Sequence, residues 1–300
     1  MIKVMNSLSK KKKGILFILM AAFSFSLMTF FVRFSGDVPT MEKCFFRNLP
    51  TVFISGWLLA RSPQKFHIKR ESYGGILMRC VFGASGMIAN FWAIDHLALP
   101  DANLLNKISP FFAMILSAWL LKEKPTRAEW GLVFTAFAGA LLVIKPTAGA
   151  ASLPALVGLF SGFGAGTAYT FVHKLGLQGE RGQVIVFCFS LFTVLLCSPY
   201  LIFSMHPLTP FQLGALMCAG FAGAGGQLAI TAAYQAAPAK EISVFDYTQV
   251  IFSAVWGFFF LDELPDRWSV LGYIIIGAVA VVKWRLANRL GGPAEAAAGE

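Results

Sequence analysis

Two five-residue stretches, Leu121-Lys122-Glu123-Lys124-Pro125 and Leu261-Asp262-Glu263-Leu264-Pro265, decide how this chain is built. Each closes an apolar run, and each is followed by one last short apolar run. Sliding residues 101–144 onto 241–284 at a constant offset lays one stretch over the other, so the chain carries an internal repeat. Five apolar runs make up each copy. An odd number sends the second copy into a bilayer from the opposite side, which makes the repeat an inverted one. Inverted repeats are a recurring plan among secondary transporters, with a substrate site near the midplane and access alternating as one half rocks against the other.

The composition requires lipid as the solvent. Of the 300 residues, 57% are hydrophobic and 13% charged, against roughly 25% charged in an ordinary soluble domain. The apolar runs are long enough to cross a hydrocarbon core of about 30 Å at 1.5 Å per residue. They predict helices over 14–34, 41–60, 71–94, 102–121, 128–144, 153–173, 183–203, 211–235, 242–261 and 267–283. Breaks between them carry turn punctuation, as in Ser35-Gly36-Asp37-Val38-Pro39, Arg61-Ser62-Pro63, Leu99-Pro100-Asp101, Lys145-Pro146 and Pro238. No soluble domain fits into connections this short. The organisation is a basic N-terminus (1–13), a first five-helix repeat (14–146), a second (153–284) and a C-terminal tail (285–300).

The net charge of +10 does not point to nucleic acid, because Lys and Arg sit in short links between apolar runs and form no continuous basic face. They read instead as a topology signal. With a cytoplasmic N-terminus, one side holds Lys3, Lys10 to Lys13, Arg61, Lys65, Lys69, Arg70, Lys122, Lys124, Arg127, Lys174, Arg181, Lys240, Lys283, Arg285 and Arg289. The other side keeps only Arg33, Lys43, Lys145 and Arg267. That asymmetry puts both termini in the cytoplasm of a bacterial-type inner membrane. The first run is too long for a cleavable signal and lacks a small-residue exit, so it reads as a spanning helix. Cys44, Cys80, Cys188, Cys197 and Cys218 show no CxxC spacing and read as packing residues.

The run Ala102-Asn103-Leu104-Leu105-Asn106, then Ser109-Pro110, then Leu120-Leu121-Lys122-Glu123, and a later helix ending Gly139-Ala140-Leu141-Leu142-Val143-Ile144-Lys145-Pro146, resembles the EamA-type domain of the drug/metabolite transporter superfamily. Phe245-Asp246-Tyr247, Leu261-Asp262-Glu263 and Gly277-Ala278-Val279 repeat it less closely. The resemblance implies an all-α membrane protein of ten transmembrane helices in two inverted-topology five-helix repeats. In it, helices one to four and six to nine surround a central cavity and five and ten lie outside. Within the superfamily, Phe45-Phe46-Arg47, Arg79 and Asp246-Tyr247 resemble a subgroup that carries S-adenosylmethionine, riboflavin and other organic metabolites. The chain departs from the pattern in having Val250 where the first copy has Pro110, and Lys107 where many relatives are uncharged.

Ionisable residues within spans are costly, about 2.5–3.5 kcal/mol at the bilayer centre on insertion scales, and so mark cavities, partners or function. Arg47, Arg79, Lys107 and Asp246 are the four that stand out. Arg79 is the deepest, and its planar fork suits a carboxylate or phosphate. The bland alternative is a structural salt bridge, for which Asp246 is the expected partner. Arg47 and Lys107 lie closer to a helix end, where they could extend to headgroups. Three cations to one anion favour an anionic or zwitterionic substrate, amino-acid-like or nucleoside-like.

Asp246 aligns with Asn106 in the repeat, and an acid in low dielectric is a candidate coupling site for protons or other ions. Asn90, Asn106, Tyr169, Gln227, Tyr234 and Tyr247 are candidate neutral contacts, with helix bridging as the plainer role. Asp95 and His96 read as solvated or capping residues, and Glu123 and Glu263 as organisers of turns. Gly158, Gly162 and Gly166, and Ala215, Ala219 and Gly223, recur every fourth residue as close-packing surfaces.

The chain has no P-loop, HExxH or GxSxG, and His67, His96, His173 and His206 lack ligand spacing, so no enzyme, metal or cofactor is expected. A flippase for lipid or lipid-linked precursors is the alternative function on the same fold. A channel fits less well, because the halves supply no ring of identical pore residues. The expected partners are a small-molecule substrate, membrane lipids and coupling ions, with the chain a monomer or homodimer.

Overall fold

In the computed structural model, residues 10–96, 105–144, 153–260 and 266–296 are described, and they are helical throughout apart from short links. The helices are α1 (Lys10–Phe34), α2 (Thr40–Ala60), α3 (Tyr73–His96), α4 (Ser109–Leu120), α5 (Arg127–Ile144), α6 (Leu153–Leu177), α7 (Gly182–Ser204), α8 (Pro210–Ala236), α9 (Thr248–Phe260) and α10 (Arg267–Ala296). Among the described residues, seven segments are long and apolar enough to cross a membrane by themselves, and Ser109–Leu120 is a shorter apolar helix. The expected links Leu99-Pro100-Asp101 and Lys145-Pro146, the stretch Leu261 to Pro265 with Glu263, and Lys3 lie outside the described residues.

Local sequence accounts for several helix starts. Thr209 and Gln212 form a reciprocal capping box at the head of α8, with Pro210 in the first turn where its missing N–H costs nothing. Thr126 accepts from the Glu129 amide at the head of α5, and Asp266 from the Ser269 amide at the head of α10. Thr126 and Asp266 are equivalent positions in the repeat.

Two spans differ from the sequence reading. Residues 102–121 and 242–261 read as unbroken helices, yet both are interrupted. In the fourth span residues 105 and 106 are helical, Lys107 and Ile108 form a turn, and α4 starts at Ser109. Pro110, at the head of α4, has no N–H to carry a helix through this point. The ninth span consists of one helical turn, Ala239–Ile242, a 3-10 turn, Ser243–Tyr247, and then α9. With Val250 in place of proline, this break is held by tertiary contacts.

Packing is dominated by contacts between the repeats. The most extensive pairs are α1 with α8, α3 with α6, α2 with α7, and α5 with α10. Exchanging helices one to five with six to ten turns this set into itself, as the inverted repeat requires. Spans one to four and six to nine enclose the centre; α5 and α10 pair at the side. The small-residue stripe of α6 works as read. A side-chain carbon at Gly162 would come within 2.5 Å of the Leu105 carbonyl oxygen, and one at Gly166 within 2.7 Å of that of Ser109. The fourth span therefore rests on α6 backbone to backbone. Gly162→Val should lower the unfolding midpoint in detergent, equivalent to about 1–3 kcal/mol of overpacking, whereas Gly131→Ala, which meets nothing within 4 Å, should leave it unchanged.

Candidate functional site

The two interrupted spans cross at the centre, and each satisfies the other's broken backbone. The Tyr247 hydroxyl donates to the Lys107 carbonyl at 3.0 Å. Lys107 Nζ lies 3.4 Å from the Asp246 carbonyl oxygen, 3.0 Å from its carboxylate Oδ2 and 2.8 Å from Gln249 Oε1. Lys107 and Tyr247 are equivalent residues of the two repeats, so the crossing lies on the axis relating them. A free carbonyl in a nonaqueous interior costs several kcal/mol, and here it is matched by a side chain from the opposite half. Asp246 therefore has Lys107 as its partner, not the expected Arg79. Lys107 is 8% exposed and does not extend to headgroups, because the carboxylate holds it inward.

Beside the crossing is a cavity of about 750 Å3, lined toward one face by Arg33, Gly36, Lys43, Ile94, Val143 and Ser269. These lie at the ends of helices on the face opposite the start of α1. That second face, where α1 begins, carries Lys11 to Lys13 and the basic links, and is called the basic face below. Arg47, Arg79, Asn90, Asn106, Lys107, Tyr169, Gln227 and Asp246 all line the cavity. Tyr234 and Tyr247 do not. Tyr247 is fully buried at the crossing, and Tyr234 stacks behind Tyr169 with ring centres 4.8 Å apart and planes 12° apart.

Neither Arg47 nor Arg79 is held by a carboxylate among the described residues. Arg79, 2% exposed, lies with Cζ 4.0 Å above the Phe189 ring, and its Nε has no hydrogen-bond acceptor. A cation over an aromatic face keeps its in-plane donors available. Gly83, one turn on, makes the pose possible: a side-chain carbon there would come within 1.9 Å of Arg79 Nη1. Arg47 Nε and Nη1 point at the thioether sulfurs of Met28 and Met87, 2.9 and 2.7 Å away, which are weak acceptors. Asn90 Oδ1 and Gln227 Nε2 are also buried and unpartnered. The site is thus a set of fixed donors, with Asn90 Oδ1 as an acceptor among them, and an excess of positive charge.

Sequence reasoning missed Gln249, Phe189, Met28 and Met87. Gln249 could have been found one turn beyond Asp246 on the same span. The aromatic and thioether partners look like ordinary core residues in a chain this apolar. Asp95 is also more than a capping residue: it accepts from Lys43 Nζ at 3.1 Å and from Thr40 Oγ1, tying α3 to α2. Glu123 is bonded across the repeats to His173, 2.9 Å away.

A ring of inverted helices with a polar cavity at their crossing defines a multi-pass membrane transporter. The chain belongs to the EamA-like transporter family, whose pattern matches residues 12–145 and again 152–283. It is 31% identical over 272 residues to the pseudopaline exporter of Pseudomonas aeruginosa, covering 88% of this chain and 93% of that protein. It is 26% identical over 294 residues to human solute carrier family 35 member G1, covering 90% and 80% respectively. A crystal structure shares the fold with a TM-score of 0.72 at 16% identity, over 94% of this chain and 99% of the other. The family consists of transporters, not enzymes, and small molecules are their cargo.

Breaking the buried pair at the crossing by Lys107→Met or Asp246→Leu alone should destabilise by about 3–5 kcal/mol, while the double substitution should recover much of that loss. Thermal unfolding of the four chains in one detergent measures the coupling.

Proposed function

We propose that the chain is a secondary transporter that moves a small organic anion or zwitterion across the inner membrane by alternating access between repeats 14–146 and 153–284. The observation that carries the reading is Arg79: a buried guanidinium facing the cavity, with Nε unpartnered. A substrate carboxylate or phosphate would supply the missing acceptors, in a cavity where such hydrogen bonds are strong. Arg47 would add a second positive contact. An ammonium on the same molecule would be drawn to Asp246, exchanging with Lys107. Asn90, Asn106, Tyr169 and Gln227 would orient the rest of the substrate. Tyr234 and Tyr247 would support the site from behind. The cavity lies toward the face opposite the basic one, where alternating access would place it in one of its two states. The distribution of Lys and Arg supports both termini being cytoplasmic, which makes that face the outer one.

The name of the Pseudomonas relative, an exporter of an organic metabolite, supports an organic cargo here. Purified protein in sealed vesicles should accumulate one or more members of a radiolabelled panel of amino acids, dicarboxylates and phosphorylated metabolites, recovered chemically unchanged. Arg79→Ala should reduce that flux at least tenfold, about 1.4 kcal/mol of recognition. Arg79→Lys should restore only part of it, since a point charge lacks the planar fork. Full flux in the folded alanine variant refutes the assignment.

A further inference from the structure

The basic face is shut by contacts that run from one repeat to the other, and one of them has an unusual proton count. His173, near the end of α6, is 5% exposed. Its Nδ1 is 2.6 Å from the backbone carbonyl oxygen of Tyr234 on α8, and its Nε2 is 2.9 Å from Glu123 Oε1, just beyond α4. Glu123 belongs to the first repeat, His173 and Tyr234 to the second. A carbonyl oxygen can only accept, so Nδ1 must carry a proton. A neutral imidazole has one N–H, so Nε2 can approach the carboxyl group only if one further proton is present. Whether that proton sits on the ring or on Glu123, the intact pair contains it.

We infer that Glu123 and His173 form a proton-operated latch between the repeats, closed when the shared proton is bound and released when it is lost. The inference rests on the alternating-access reading and adds a proton site to it beside Asp246, the candidate marked in the sequence. Without the proton, the Nε2 lone pair faces a carboxylate oxygen across 2.9 Å, a repulsive contact. Glu123 has no alternative: its Oε2 is buried and unpartnered. Directly above, the stacked pair Tyr169–Tyr234 separates the cavity from this ring. Opening the latch therefore frees the floor of the cavity toward the basic face, and a proton taken up there closes it again. Histidine is the side chain whose charge ordinarily changes between pH 5 and 8.

The elements packed against α6 are α3, α4, α8 and the turn Ala239–Ile242. Their ionisable groups toward the basic face are Tyr73, Arg79 and Cys80 on α3, Lys122, Glu123 and Lys124 after α4, Tyr234 on α8, and Lys240 and Glu241 on the turn. Arg79 lies on Phe189, Tyr73 is exposed, and Glu241 pairs with Lys11 at 3.7 Å. On α6 itself, Lys174 Nζ lies 5.8 Å from the Phe171 ring centre, and Tyr169 stacks on Tyr234. Of all these groups, Glu123 alone meets Nε2. In the repeat, His173 aligns with Arg33 and Glu123 with Glu263. The corresponding pair of positions on the other face thus has a guanidinium where the basic face has an imidazole.

Thr170 is fully buried one turn from His173, its Oγ1 3.4 Å from the Ala113 carbonyl oxygen of α4, so it lies on the surface that must part. The test uses Thr170→Cys in a full-length chain whose five native cysteines are replaced by alanine, purified in detergent and labelled with a maleimide at pH 6 and pH 8. The same chain carrying Glu123→Gln serves as reference, because a glutamine amide donates to neutral Nε2 and closes the latch without the proton. The cysteine's own ionisation acts in both chains, so the ratio of the two pH responses reads the latch. A ratio of fivefold or more is expected, with Glu123→Ala labelled rapidly at both pH values. A ratio near one, or an alanine variant as protected as the glutamine variant, overturns the proposal. No substrate enters this measurement, so its failure leaves the vesicle flux result standing, and a failed flux experiment leaves the latch standing.

Discussion

The crossing of the two broken spans is the constraint on which the centre of this protein depends. A helix interrupted in hydrocarbon strands backbone groups that lipid cannot satisfy. Here the Lys107 carbonyl is taken by Tyr247 and the Asp246 carbonyl by Lys107. Each interruption is tolerable because the other exists. Neither repeat can build the site alone, because each supplies one of the two broken spans.

The same economy shapes the charges beside it. Lys107 and Asp246 neutralise each other, leaving Arg47 and Arg79 as the positive excess. Both are held by aromatic faces and thioethers, which accept little from a guanidinium. A carboxylate partner would have neutralised them and filled the site with protein. The weaker partners fix their position and leave donors for a ligand. Gly83 completes the arrangement by giving Arg79 room to fold back along its own helix.

Both faces carry side-chain links. On the face opposite the basic one, Lys43 and Asp95 join α2 to α3 within one repeat, and Glu42 and His206 join the two repeats. Across the basic face, the links run between repeats: Glu123 to His173, Lys69 to Glu180 and Gln178, and Arg181 to Ser62 and the carbonyls of Lys65 and His67. The basic links that read as a topology signal thus also close the molecule on that side. The pairing of α5 with α10 stands apart, bonded by close backbone approach at Gly139 and Gly272.

Hydrocarbon thickness, charge asymmetry and the repeated Leu-x-Glu-x-Pro stretches determined the spans, their number and their inversion, because these are one-dimensional properties that a bilayer reads directly. The sequence also marked Arg47, Arg79, Lys107 and Asp246, since any charge in an apolar run is conspicuous. Which charge meets which was decided only in three dimensions. Asp246 takes Lys107 because the repeat axis brings residues 107 and 247 together. The break in the ninth span has no proline to announce it, and His173 acquires a partner only when α4 and α6 come into contact. Pairing across an axis depends on how two halves dock, and that information lies in no local stretch of the chain.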